Sequence, residues 1–154
     1  MNPSWSDFLG AHGASFDRDH IASFGAPAAE LAAARDGAIV CDLSALAVLR
    51  VAGPDAEAFL QGQFTNDLAR LGPGSAQYSA WCSPKGRMLA NFLLRRAGES
   101  IYELLLPASL GESIAKRLRM FVLRSRVSVD DASGESVRLG VGGPDARSAP
   151  ARST

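Results

Sequence analysis

Two cations, Lys85 and Arg87, flank Gly86 at the end of Tyr78-Ser-Ala-Trp-Cys-Ser-Pro-Lys-Gly-Arg87, in a connection too short for a helix. Paired cations beside a glycine could converge on a carboxylate or phosphate, since glycine lets backbone approach closely. An ordinary hairpin with a charged tip gives the same pattern. Cys82 stands next to them and would become reactive only if they made its setting electropositive; a buried strand thiol is the plainer reading. A second group precedes this one. Leu60-Gln-Gly-Gln-Phe-Thr-Asn-Asp67 surrounds Gly62 with amides, although a glycine inside a helix costs about 1 kcal/mol relative to alanine. Gln61, Gln63 and Asn66 could offer those amides to the polar edge of a heterocyclic ring. They could equally cap the helix end and the following loop, and the residues alone leave both readings open.

Other chemistries lack their residues. No Walker loop, GxGxxG, HExxH, CxxC or nucleophile elbow occurs, so no catalytic residue is assigned. His12 and His20 lie in an aperiodic segment and read as solvated surface. Cys41 and Cys82 are far apart with no paired His or second Cys, which excludes a zinc knuckle or disulfide framework and suits a reducing cytoplasm; no metal site is expected. Sixteen acidic residues balance sixteen basic ones at a pI near 6.7, so no broad field draws the chain to nucleic acid or anionic membrane. The cluster Lys116, Arg117, Arg119, Arg124 and Arg126 reads as the solvated face of a helix with cations near its C-terminus. Apolar runs such as Leu104 to Leu106 fall far short of the roughly 20 residues of a membrane span, and the first residues carry no basic, apolar signal pattern.

The elements that must hold these groups follow from periodicity. Residues 1–25 show no sustained period and are expected to form an irregular arm, followed by a short alanine-rich helix over 27–35, so that 1–37 precede the main domain. Compact apolar runs at 38–43 and 46–51 predict strands. Gly53-Pro54-Asp55 stops the second and opens a helix carrying Ala56, Phe59, Leu60 and Phe64 on one face. Three strands over 78–82, 87–96 and 101–107 follow with short connections, as an antiparallel meander. Ser109 and Glu112 form a capping-box signature for a helix with Leu110, Ile114, Leu118, Phe121 and Val122 on one stripe. Strands at 127–129 and 137–141 close the pattern. Helices separating groups of strands predict an α+β domain over 38–136, a mainly antiparallel sheet with helices on one face: a ferredoxin-like plait with an added strand. Gly143-Pro144-Asp145 repeats the chemistry of Gly53-Pro54-Asp55. Residues 137–154 are accordingly expected to begin a truncated second unit, or to end the domain in an unpartnered strand with a disordered tail over 148–154.

In that order and spacing, Gly53-Pro54-Asp55, Leu60-Gln-Gly-Gln-Phe-Thr-Asn-Asp67, Cys82-Ser-Pro-Lys-Gly-Arg-Met88 and Asn91 resemble the N-terminal region of the YgfZ family, non-catalytic relatives of the glycine-cleavage T-protein. The likeness runs from about Ala38 to Gly142. It implies the first domain of a three-domain ring around a tetrahydrofolate-sized cavity. It further implies a role in assembling or repairing iron–sulfur clusters in client enzymes, including maturation of a tRNA-modifying enzyme. The family's Lys-Gly-Cys-Tyr-x-Gly-Gln-Glu hallmark is absent, so neither Cys41 nor Cys82 inherits its cysteine's role. Folate contacts implied by position are Tyr78, Asn91 and Leu105, with Pro107 where the T-protein has a polar residue; Gln63, Asn66 and Lys85 are added from their own chemistry. The T-protein, a folate-dependent aminomethyltransferase and the alternative reading, keeps a catalytic aspartate where this chain has Asn91. A neutral amide can hydrogen-bond but cannot stabilise developing positive charge as a carboxylate does, which argues against enzymatic transfer here. The 154 residues alone are expected to bind folate weakly or not at all.

Overall fold

The computed structural model describes residues 2–18 and 20–147. In chain order they form α1 (Pro3–Ala11), β1 (Ser15–Asp17), β2 (His20–Ser23), α2 (Pro27–Asp36), β3 (Ile39–Asp42), β4 (Leu46–Ala52), α3 (Ala56–Gln61), a 3-10 turn (Leu68–Arg70), β5 (Ala76–Cys82), β6 (Met88–Gly98), β7 (Ile101–Pro107), α4 (Ala108–Phe121), β8 (Ser128–Asp131) and β9 (Leu139–Gly142). The chain divides into two compact units, one of residues 46–133 and one of residues 1–45 with 134–154.

The unit of residues 46–133 is an antiparallel five-stranded sheet in the order β5-β6-β7-β4-β8. Leaving out β5, the order β6-β7-β4-β8 around two helical crossovers is that of a ferredoxin-like plait, and β5 is the added edge strand. Alternation along each strand sends one set of side chains to a single face. Leu49 and Val51 of β4, Trp81 of β5, Leu94 of β6, and Tyr102, Leu104 and Leu106 of β7 are buried there. They meet Ala56, Phe59 and Leu60 of α3 and Ile114, Ala115 and Leu118 of α4 in one cluster. Each large side chain so buried contributes about 1.5–3 kcal/mol of transfer free energy, which makes this layer the support on which the opposite face depends.

Two local devices fix the C-terminal end of β4. Gly53 adopts φ 138°, and a Cβ there would lie 2.1 Å from the Arg126 carbonyl oxygen, so only glycine fits. Asp55 then accepts from the Arg126 backbone N–H at 2.7 Å and pairs with its guanidinium at 3.2 Å, joining the start of α3 to the approach to β8. On the core side Tyr102 donates to Glu57 at 2.9 Å, and Arg96 pairs with the same carboxylate at 3.2 Å. Burial first, then the Glu57 carboxylate, pushes the Tyr102 phenol up to about 12.

The second unit differs from expectation. Its N-terminal segment is not an irregular arm: Asn2 caps α1, accepting from the Trp5 N–H, and Pro3 occupies the first turn. Trp5 and Phe8 stack, and the Trp5 indole donates to Asp42 at 2.8 Å, anchorage that periodicity does not reveal. β1 and β2 form a hairpin, and Glu30 caps the entrance to α2 by accepting from Ser23 and from the N–H groups of Phe24 and Ala26. β9 is neither unpartnered nor free of the N-terminal region, because it pairs antiparallel with β3. The strand at 38–43 therefore lies outside the five-stranded sheet. The expected capping box at Ser109 is also absent: α4 starts two residues earlier, at Ala108 behind Pro107, with no side-chain cap. The expected tail over 148–154 lies outside the described residues.

Candidate functional site

The face of the five-stranded sheet opposite α3 and α4 carries the three positions implied by resemblance. Register pairs Tyr78 with Leu93, Leu93 with Leu105 and Leu105 with Val48, so these four form one row across β5, β6, β7 and β4. Asn91 faces Ala80 two residues along β6, hence one row away, roughly 7 Å along the strand. All three lie in strands whose alternate residues fill the core, which is why Tyr78, at 80% exposure, stands clear of it while Ser79 and Trp81 beside it are buried.

The next row in the other direction is charged. Arg95 opposes Glu103, Glu103 opposes Arg50, and Arg50 opposes Asp130. Glu103 is the single acid in β5, β6 and β7, and Arg50 and Arg95 pair with it at 3.2 and 3.4 Å. No uncommitted carboxylate therefore accompanies Tyr78, Asn91 and Leu105 on these three strands.

The bottom-up additions separate in the structure. Phe64 bridges Trp81, the Thr65 N–H donates to the Ala80 carbonyl at 3.0 Å, and the Ala80 N–H donates to Thr65 Oγ1 at 3.1 Å. Residues 64–65 thus run along the outer edge of β5 and bring Asn66 beside the Ala80–Asn91 row, where its Oδ1 accepts from the Thr65 hydroxyl at 2.9 Å. Gln63 is half-buried one residue before the bridge. Gln61, its neighbour, does take the capping role: its Oε1 accepts from the Leu68 N–H at 2.7 Å. Lys85 is exposed at the tip of the β5–β6 hairpin, where Gly86 has φ 75° and Ser83 holds the turn by accepting from the Gly86 and Arg87 N–H groups. Four residues lie between Tyr78 and Ser83, a rise of about 17 Å, and Lys85 lies past Ser83 in the turn.

An aromatic ring and two leucines beside one amide fit the chemistry of a flat heterocycle such as a reduced pterin, which asks for apolar stacking and a group able both to donate and to accept at its edge. A cavity of about 470 Å³ lies elsewhere, in the other unit, lined by His20, Phe24, Glu30, Ile39 and Cys41 among others, and it contains none of the six expected residues. Among the described residues no group of three or more His, Cys, Asp or Glu could hold a metal, and no helix is long and apolar enough to cross a membrane. Cys41 is exposed and Cys82 half-buried, both as free thiols.

The GCVT N-terminal domain model matches residues 10–154, and the chain belongs to that family. Over 114 residues it is 37% identical to an aminomethyltransferase of Shouchella clausii (strain KSM-K16), covering 74% of this chain and 31% of that protein. Over 123 residues it is 34% identical to the tRNA-modifying protein YgfZ of Enterobacter sp. (strain 638), covering 80% and 37% respectively. The chain thus spans about a third of the length of these relatives. The crystal structure of glycine cleavage system aminomethyltransferase T from Bartonella henselae superposes with a TM-score of 0.80 at 23% identity, over 94% of this chain and 41% of that one, which establishes the shared fold.

Proposed function

We propose that this chain supplies the sheet wall of a tetrahydrofolate site in a protein that holds folate without transferring a one-carbon unit from it, in the manner of YgfZ. The observation that carries the reading is the Asn91 amide on the open face, one row from Tyr78 and Leu105, with Glu103 of the same face bound between two arginines. An amide there orients a polar ring edge; it supplies no negative charge to a cationic transition state. The likeness to YgfZ extends the proposal to a role in iron–sulfur cluster assembly or repair, with iron–sulfur enzymes as clients and a tRNA-modifying enzyme among them. No direct contact with nucleic acid or membrane is proposed, and the setting is cytoplasmic.

The competing reading, a folate-dependent aminomethyltransferase, is favoured by the 37% identity to a protein of that name. Two measurements on the full-length protein separate them. Titration calorimetry with tetrahydrofolate gives a binding isotherm under both readings, and its absence at saturating folate removes both. Methylene transfer to tetrahydrofolate from an aminomethylated carrier protein occurs only under the second. Binding without turnover is the outcome the proposal requires.

A further inference from the structure

The helix-covered side of the five-stranded sheet carries a groove where β6 begins beside α4. Its volume is about 330 Å³, and it is lined by Leu89, Ser113, Ile114, Lys116, Arg117 and Met120. A bulge helps to build it. Trp81 pairs with Ala90 but Cys82 with Met88, so Leu89 is the extra residue, and it packs with Ala90 against the helix-covered core instead of facing away from it. Along α4, Ser113, Lys116, Arg117 and Met120 recur at three- and four-residue spacing, a second stripe beside the buried one of Gly111, Ile114, Ala115 and Leu118. Met120 is 62% exposed, and Phe121 and Leu123 behind it are also exposed.

The charge around this groove has one sign. From Leu68 to Gly98 and from Ser113 to Val129 the sequence contains no acid, in a chain whose acids and bases balance overall. Arg119 and Arg126 are committed inside the unit, to the Val129 carbonyl at 2.8 Å and to Asp55 at 3.2 Å. Lys116, Arg117 and Arg124 have no carboxylate partner among the described residues, and Glu112, one turn before Lys116, makes no ion pair with it. Arg117 is held in place nonetheless. Its guanidinium lies 5.8 Å from the centre of the Trp81 ring, which Phe121 meets edge-on at 5.7 Å.

We infer that this groove is the docking surface for one acidic amphipathic helix of a partner protein. A leucine-sized side chain of that helix enters between Leu89, Ile114 and Met120, while carboxylates a turn to either side meet Lys116 and Arg117. The groove is separate from the folate face, since it lies on the side of the sheet opposite Tyr78 and Asn91. Helical spacing along α4 suits a helix laid beside it, and methionine adapts its shape to an apolar guest. An extended segment finds no edge here, because β6 is already paired with β5 and β7. A second copy of this chain using the same groove would set like charges against each other across a two-fold axis. Nucleic acid finds no stacking platform: the lining has no aromatic ring, and Trp81 is 3% exposed beneath Arg117.

NMR titration of the full-length protein, following the methyl signals of Leu89, Ile114 and Met120, tests this. The probe is a capped alanine-based helical peptide with two leucines four residues apart and glutamates flanking both. Saturable shifts of those methyls at submillimolar peptide are expected, with affinity falling about fivefold as salt rises from about 0.05 to about 0.5 M. Lys116→Glu should weaken binding about tenfold and Met120→Ala about fivefold, with thermal unfolding unchanged in both, since each side chain is exposed. The same peptide with lysines in place of its glutamates should not bind. Four results overturn the inference: no saturable shift at millimolar peptide, equal binding by the lysine peptide, unchanged affinity in either variant, or an oligouridylate that shifts the same methyls at lower concentration than the peptide.

Discussion

Gly53→Ala is expected to destabilise the unit of residues 46–133 far more than Gly86→Ala, although both glycines have positive φ. At Gly86, φ 75° and no atom within 4 Å of an added Cβ leave only the conformational penalty, about 1–2 kcal/mol for an alanine held there. At Gly53 a comparable penalty is joined by three backbone contacts, at 2.1 Å to the Arg126 oxygen and 3.0 Å to its carbon and to the Val127 Cα. These atoms belong to the segment entering β8, so relief means moving that strand off β4 or opening the Asp55–Arg126 pair. A total of about 2–6 kcal/mol follows when strain of about 1–3 kcal/mol is added to an overpacking cost of similar size. For a unit of this size that is a fall in Tm of roughly 8–48 °C, against about 4–16 °C for Gly86→Ala. Thermal and urea unfolding followed by circular dichroism measure both. Equal losses in the two variants would show that the close approach at Gly53 is not what holds the β4–α3 corner to β8.

Three further outcomes are expected. The Ser79 hydroxyl is buried on the core face with no hydrogen-bond partner, so Ser79→Ala should raise stability by about 1 kcal/mol in urea titration. Hydrogen bonds from the Arg126 side chain and backbone hold the Asp55 carboxyl below the ordinary carboxylate range. Its stabilisation is therefore fully present above pH ~4 and is lost as pH falls through the lower folded value; Asp55→Asn should flatten that part of the acid unfolding profile. The Tyr102 phenol, raised to about 12, contributes in the opposite sense: stability is intact below its ordinary value near 10 and declines as pH rises toward 12. Tyr102→Phe should remove the latest-titrating phenolate absorbance and reduce that alkaline loss.

Much of the five-stranded sheet was legible because its signals are local. Alternation in β5, β6 and β7 separates Trp81, Leu94 and Leu104 from Tyr78, Asn91 and Leu105, and the stripe Ile114, Ala115, Leu118 marks α4 whatever its cap. The placement of Asn91 beside Ala80, and the closing of Glu103 between Arg50 and Arg95, were not legible, since both depend on a register that only the assembled strands define. The N-terminal unit was misread for a related reason. α1 is held by a cap and by the Trp5–Asp42 bond, and β3 finds its partner ninety-nine residues away at β9, contacts that leave no period in the sequence. The Gly143-Pro144-Asp145 echo was visible in the residues; that the strand before it pairs with β3, with Val40 opposite Val141, was not.

The central claim, that the open face with Asn91 is where folate rests, is tested most directly by the Asn91 side-chain amide signals in an NMR titration of the full-length protein with tetrahydrofolate. Saturable shifts of those signals together with the Tyr78 ring protons are the predicted result. Saturable folate binding that leaves both unchanged would contradict it.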